Sequence, residues 1–183
     1  PPLFCANKNI NNMANCELSI GFDLDCKDGV GGIKRIVLTE WSIDFPQDIT
    51  LDASEVITAL PPTTQLYYYE LPTQTASFEE TINFNRDAGT IFYTQTVNVM
   101  LQKLSAAKRL ELQSVATTRV VVFVEDANNN WWAVGVENGA DLSTATGATG
   151  TVFGDAHGYT LAFTQESVKR ANKLANSPSA LID

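Results

Sequence analysis

A chain of 183 residues with 44% hydrophobic side chains is long enough to bury one core without staples or metal. Its 12 basic and 21 acidic residues leave a net charge of −9, which denies it the counterion release that phosphate-backbone binders depend on. Charged residues make up only 18%, below the usual quarter or so, so much of the surface is expected to lie between subunits.

Residues 1–25 are rich in Asn and weakly periodic, and read as an irregular arm, either ordered against neighbours or frayed. Pro1-Pro2-Leu3-Phe4 has neither the basic start nor the apolar run of a secretory signal. No stretch reaches the ~18 apolar residues of a membrane helix. The protein is therefore expected to be made and assembled in a cytoplasm, without a membrane partner. Cys5, Cys16 and Cys26 form an odd set that fits reduced thiols, with a disulfide left open, and their spacing matches no compact zinc knuckle.

From residue 26 to 166 the chain reads as one β core. Asp25 to Gly32 is a glycine-rich loop leading into a first strand at Ile33–Thr39. Gly29-x-Gly31 precedes a strand instead of following one, which removes the context of a nucleotide fingerprint. Asp48–Asp52 and Leu66–Leu71 are further strand candidates on either side of the Pro61-Pro62 breaker. Tyr67, Tyr68 and Tyr69 alternate between faces if they lie on a strand, so core packing and a subunit contact explain them better than a sugar platform.

Residues 78–103 are the most informative. Phe78, Glu80, Ile82 and Phe84 share one parity, and Glu79, Thr81, Asn83 and Asn85 the other, before the turn Arg86-Asp87-Ala88-Gly89. On the return, Ile91, Tyr93, Val97, Val99 and Leu101 share a face, against Thr90, Thr94, Thr96, Asn98 and Gln102, with Phe92 and Met100 as exceptions. This predicts a long β-hairpin with one apolar and one uncharged polar face. A second strand of about a dozen residues is roughly twice the usual length, and long edges template association.

Ser105 is placed to cap a helix over Ala106–Ala116. Thr118–Glu125 and Trp131–Val136 form a second hairpin around Asn128-Asn129-Asn130. Gly139–Gly150 reads as a loop, Gly158–Thr164 closes the sheet, and residues 167–183 read as a tail that docks on an adjacent subunit. Together these elements predict a single mainly β domain: an antiparallel β-sandwich or barrel with one flanking α-helix and a long β-hairpin.

Catalytic chemistry finds little footing. His157 is the one histidine, no Gly-x-Ser-x-Gly elbow accompanies it, and turn chemistry accounts for it. Glu79 with Glu80, or Glu125 with Asp126, would be adjacent on a strand and face opposite ways, which defeats a carboxylate pair. Trp131 and Trp132 beside a Val-rich strand suit a core or interface. No catalytic residues, metal or cofactor are assigned.

The segments Cys26-Lys27-Asp28 to Ile33, Gly89–Tyr93, Val124-Glu125-Asp126 before Trp132, Val136–Gly139, Ala148-Thr149-Gly150, Gly154-Asp155 and Gly158–Leu161 together resemble the major tail tube proteins of tailed bacteriophages. The resemblance covers residues 26–166. It implies a β-sandwich with a flanking helix, assembled as hexameric rings that stack into a tube, each subunit lending its hairpin to an inner barrel around the DNA. It further implies a virion location, contacts with other tail proteins, and DNA passing without specific binding. Within that frame Glu79, Thr81, Asn83, Asn85, Thr94, Thr96, Asn98 and Gln102 are expected to face the lumen, and Tyr67, Tyr69, Phe92, Met100 and Trp131 to meet neighbouring subunits. A capsid decoration, tail terminator or head–tail connector protein is the alternative, ahead of a carbohydrate-binding or adhesin module, and an enzyme comes last.

Overall fold

The computed structural model describes residues 29–182. The strands are β1 (Ile33–Glu40), β2 (Thr50–Leu51), β3 (Ile57–Ala59), β4 (Tyr67–Glu70), β5 (Ala76–Asn85), β6 (Thr90–Gln102), β7 (Val120–Asp126), β8 (Trp131–Val134), β9 (Asp141–Ala148), β10 (Gly158–Ser167) and β11 (Asn172–Leu174). Two helices, α1 (Phe45–Asp48) and α2 (Ala106–Thr117), and a 3-10 turn at Pro178–Ala180 complete the described chain. The strands form a seven-stranded sheet, β2-β3-β11-β8-β7-β1-β4, and a four-stranded sheet, β5-β6-β10-β9. The fold is the expected mainly β sandwich with a flanking helix.

Composition explains why the two sheets differ. In β7, Val120 to Val124 are all buried. Val120, Val122 and Val124 face the small sheet, where they meet Val97, Val99, Leu161 and Phe163. Val121 and Phe123 face the other way and join Phe45, Ile57, Trp131, Leu174 and Leu181 in a second core. A strand covered on both faces has no polar parity to show, hence its unbroken apolar run. The small sheet is covered on one face only and keeps the alternation of period two.

Helix α2 begins where Ser105 Oγ accepts the Lys108 amide at 3.2 Å, which satisfies one of the orphan donors of the first turn. Its Leu112 and Val115 close one end of the inter-sheet core. Tyr69 donates its hydroxyl to Glu111 at 3.0 Å and ties β4 to this helix. Burial first and the Glu111 carboxylate second raise the Tyr69 pKa well above the usual phenol value.

Three expectations are corrected. Asp48 ends a helical turn that runs from Phe45 with Pro46 in its first turn, and the strand there is only Thr50–Leu51. Residues 141–148 form strand β9 and are not a loop. The tail does not leave its own domain as far as Ile182: β11 pairs with β8 and β3, and Leu174 and Leu181 bury against Ile57 and Leu60. The arm 1–25 and the three cysteines lie outside the described residues.

Candidate functional site

Strands β5 and β6 pair in the register Ser77↔Asn98, Glu79↔Thr96, Thr81↔Thr94, Asn83↔Phe92 and Asn85↔Thr90. Directly paired residues share a face, so seven of the eight predicted lumen residues lie together by this register, and Gln102 joins them by parity. Asn83 Nδ2 donates to Thr94 Oγ1 at 2.7 Å, a cross-strand link on this face.

Register extends the face across the sheet. Asn98 lies opposite Ala162, and Ala162 opposite Thr144. Thr96 lies opposite Thr164, and Thr164 opposite Asp141. Thr94 pairs with Glu166, and Met100 with Thr160. The face is thus mainly Thr, Ser and Asn, bears the carboxylates Glu79, Glu166 and Asp141, and is interrupted by Phe92, Met100 and Ala162. Not one Lys or Arg occurs in the four strands. Cations stand at the sheet's margins, outside the four strands: Lys108 of α2 donates its Nζ to the Gln102 carbonyl at 2.7 Å, and Arg119 Nε lies 3.7 Å from Asp141.

The half of the face built by β9 and β10 was not assigned from sequence. A strand at a sheet edge with a polar outer face carries no apolar alternation, so β9 reads as loop. Its usable signal is the pair of β-branched residues Thr144 and Thr146.

The opposite face of the sheet changes character along β6. Val97, Val99 and Leu101 are buried in the inter-sheet core. Next comes a polar layer, Glu80↔Gln95↔Gln165. Here the segment after β10 crosses beneath the hairpin: Gln95 Nε2 donates to Lys169 O, Arg170 Nε and the Ala171 amide both donate to Glu80, and Arg170 stands over the Tyr93 ring. Both polar atoms of the Gln165 amide are buried without a hydrogen-bond partner among the described residues. Tyr93 is the last β6 residue paired to β10, opposite Ser167. Beyond it Ile82–Asn85 and Thr90–Phe92 run on as a two-stranded ribbon. The ribbon exposes Phe84 at 77%, Ile91 at 56% and Ile82 at 49% on the face that continues the core parity.

The expected subunit contacts divide. Tyr67 and Phe92 are exposed and Tyr69 and Met100 half-buried. Trp131 is 7% exposed and belongs to the second core, because its parity on β8 points it at Phe123 and Leu174 instead of at solvent. The aromatic residues do not all gather on one patch: Tyr68 and Trp131 line one cavity of about 450 Å³, while Tyr69 packs against the inter-sheet core.

The other candidates take structural posts. Glu80 is held by Arg170, while Glu79 points to the opposite face. Glu125, buried, is paired with Arg35. Burial opposes ionisation of Asp126, yet hydrogen bonds from Asn130, Trp132 and Asn128 hold its carboxyl below the ordinary value. His157 serves the backbone, its carbonyl accepting the Lys103 amide at 2.9 Å. No group of three or more His, Cys, Asp or Glu able to hold a metal occurs among the described residues. No helix among them is long and apolar enough to cross a membrane. No protein-family model matches the chain, and no curated protein matches it.

Proposed function

We propose that this chain is the structural subunit of a phage tail tube, in which hexameric rings stack into a conduit for DNA. The observation that carries the reading is the Thr/Asn-rich face of a four-stranded sheet whose strands hold no Lys or Arg and whose outer strands, β5 and β9, have no further strand beside them among the described residues. Free strand edges associate unless they are blocked, and joining β5 of one copy to β9 of the next closes a ring that has no edge left.

Six copies close a barrel of about 24 strands. At ~4.8 Å between strands and a tilt near 40° its backbone diameter is roughly 48 Å, which leaves room for a duplex and its water. The polar face then lines the lumen. Thr and Asn hydrate the wall, Glu79, Asp141 and Glu166 repel phosphate within a Debye length of ~8 Å, and the lack of lysine avoids a counterion-release trap. No catalytic group or cofactor is needed for this role.

The reading is tested by negative-stain electron microscopy of the concentrated protein at moderate salt. Rings or tubes with a central hole wider than a duplex are expected. A particle that stays monomeric at every concentration overturns self-assembly and favours a decoration, terminator or connector protein that needs a partner.

A further inference from the structure

The ribbon at the hairpin tip and a cleft at the hairpin base are both largely apolar, and no described residue fills either. The cleft, of about 920 Å³, lies between β4 and α2 and is lined by Tyr67, Tyr69, Leu71, Pro72, Leu101 and Leu112. The Tyr69–Glu111 hydrogen bond spans the two elements and holds it open before any partner arrives. At the other end of β6, Ile82, Phe84 and Ile91 form a finger with one apolar face. Contiguous exposed apolar surface of this kind marks a place of contact.

Resting on the tube reading above, we propose that the finger of one copy seats in the β4–α2 cleft of a copy in the next ring. Two features of the molecule select a second copy as the occupant. First, finger and cleft sit at opposite ends of one strand of 13 residues, a span of ~43 Å at ~3.3 Å per residue, so neither can fill its own counterpart. Second, a contact between two different patches of the same chain is heterologous and repeats without limit along one direction, as ring stacking requires. Both patches carry both signs of charge at their rims, Arg86 and Asp87 at the turn, Glu70 and Lys108 at the cleft, so neither repels the other. The seated finger exchanges water for the leucines and tyrosines of the cleft, and the stacking interval follows the length of β6.

The test places a photo-crosslinking benzophenone amino acid at position 84 in a mixture of isotopically light and heavy chains, followed by mass mapping. Crosslinks joining light to heavy chains, from position 84 to the peptides containing residues 66–72 or 101–112, are expected. In parallel, Phe84→Asp, whose side chain is exposed in the monomer, is expected to keep the wild-type melting temperature and to shorten tubes at least tenfold while leaving single rings. Crosslinks confined to other surfaces, or Phe84→Asp tubes of wild-type length, overturn the docking and leave the tube reading standing. Wild-type protein that forms neither rings nor tubes but crosslinks into the cleft overturns the tube reading and with it docking between rings, leaving only a finger-to-cleft contact between two copies.

Discussion

Placing a lysine on the polar face of the small sheet separates a lumen wall from an ordinary solvated surface, and the register says where. Asn98 lies in the uncharged row Ser77–Asn98–Ala162–Thr144, so a lysine there has no carboxylate directly beside it. Thr96 lies in the row Glu79–Thr96–Thr164–Asp141, where a lysine would be neutralised by Glu79 one strand, or ~4.8 Å, away. In the proposed hexameric ring Asn98→Lys would present six ammonium groups. At a slope of about −0.9 per phosphate neutralised, full engagement gives −5 or so, a loss of about 10³-fold in affinity between 50 and 200 mM salt. The assay is retention of duplex DNA by assembled tubes across a salt titration, with electron microscopy confirming that tubes persist. Wild type should retain almost none with a flat salt dependence, Asn98→Lys should retain DNA steeply, and Thr96→Lys should fall between. Intact Asn98→Lys tubes that ignore DNA at low salt refute the assignment of this face to the lumen.

Three further outcomes follow from the packing. Phe163→Ala removes a fully buried ring between the sheets and is expected to cost about 3–5 kcal/mol in denaturant unfolding; a loss under ~1 kcal/mol would show the core misassigned. Gln165→Met removes a buried amide that has no partner among the described residues and is expected to raise stability by about 1 kcal/mol or more, read as a higher melting temperature, with a fall counting against it. The depressed Asp126 carboxyl stabilises the fold above its unfolded pKa of about 3.9, and that contribution is lost as pH falls through the lower folded value. The melting-temperature gap between wild type and Asp126→Asn should therefore narrow steadily below pH 4, and a constant gap would contradict the linkage.

How much of this was legible in the sequence depended on whether a strand had two different faces. The β5–β6 hairpin was readable in its alternation and its turn, though not in its outer ends, because Phe78 and Val97 point into a core while Glu79 and Thr96 point out of it. The cap at Ser105 was readable because its hydrogen bond is local. Strand β9 was hidden because its exposure hardly alternates, and Trp131 was misplaced because a strand buried on both sides gives no parity to read. The tail was assigned to a neighbour because β11 pairs with β3, more than a hundred residues earlier, and only Leu174↔Ile57 in three dimensions reveals it. The cleft could not be seen from sequence, since it is a property of β4 and α2 packed together.

The polar clasp at Glu80, Gln95 and Arg170 divides a single strand into two mechanical regimes. On one side, residues 97–99 of β6 are flanked by β5 and β10, and Val97 and Val99 are buried in the inter-sheet core. On the other, Thr90–Phe92 belong to a two-stranded ribbon of a kind that is marginal in water alone. The ribbon can flex toward a neighbour without disturbing the valines that hold the sandwich closed. Adaptability at the hairpin tip and permanence in the sandwich are thus carried by one unbroken length of backbone.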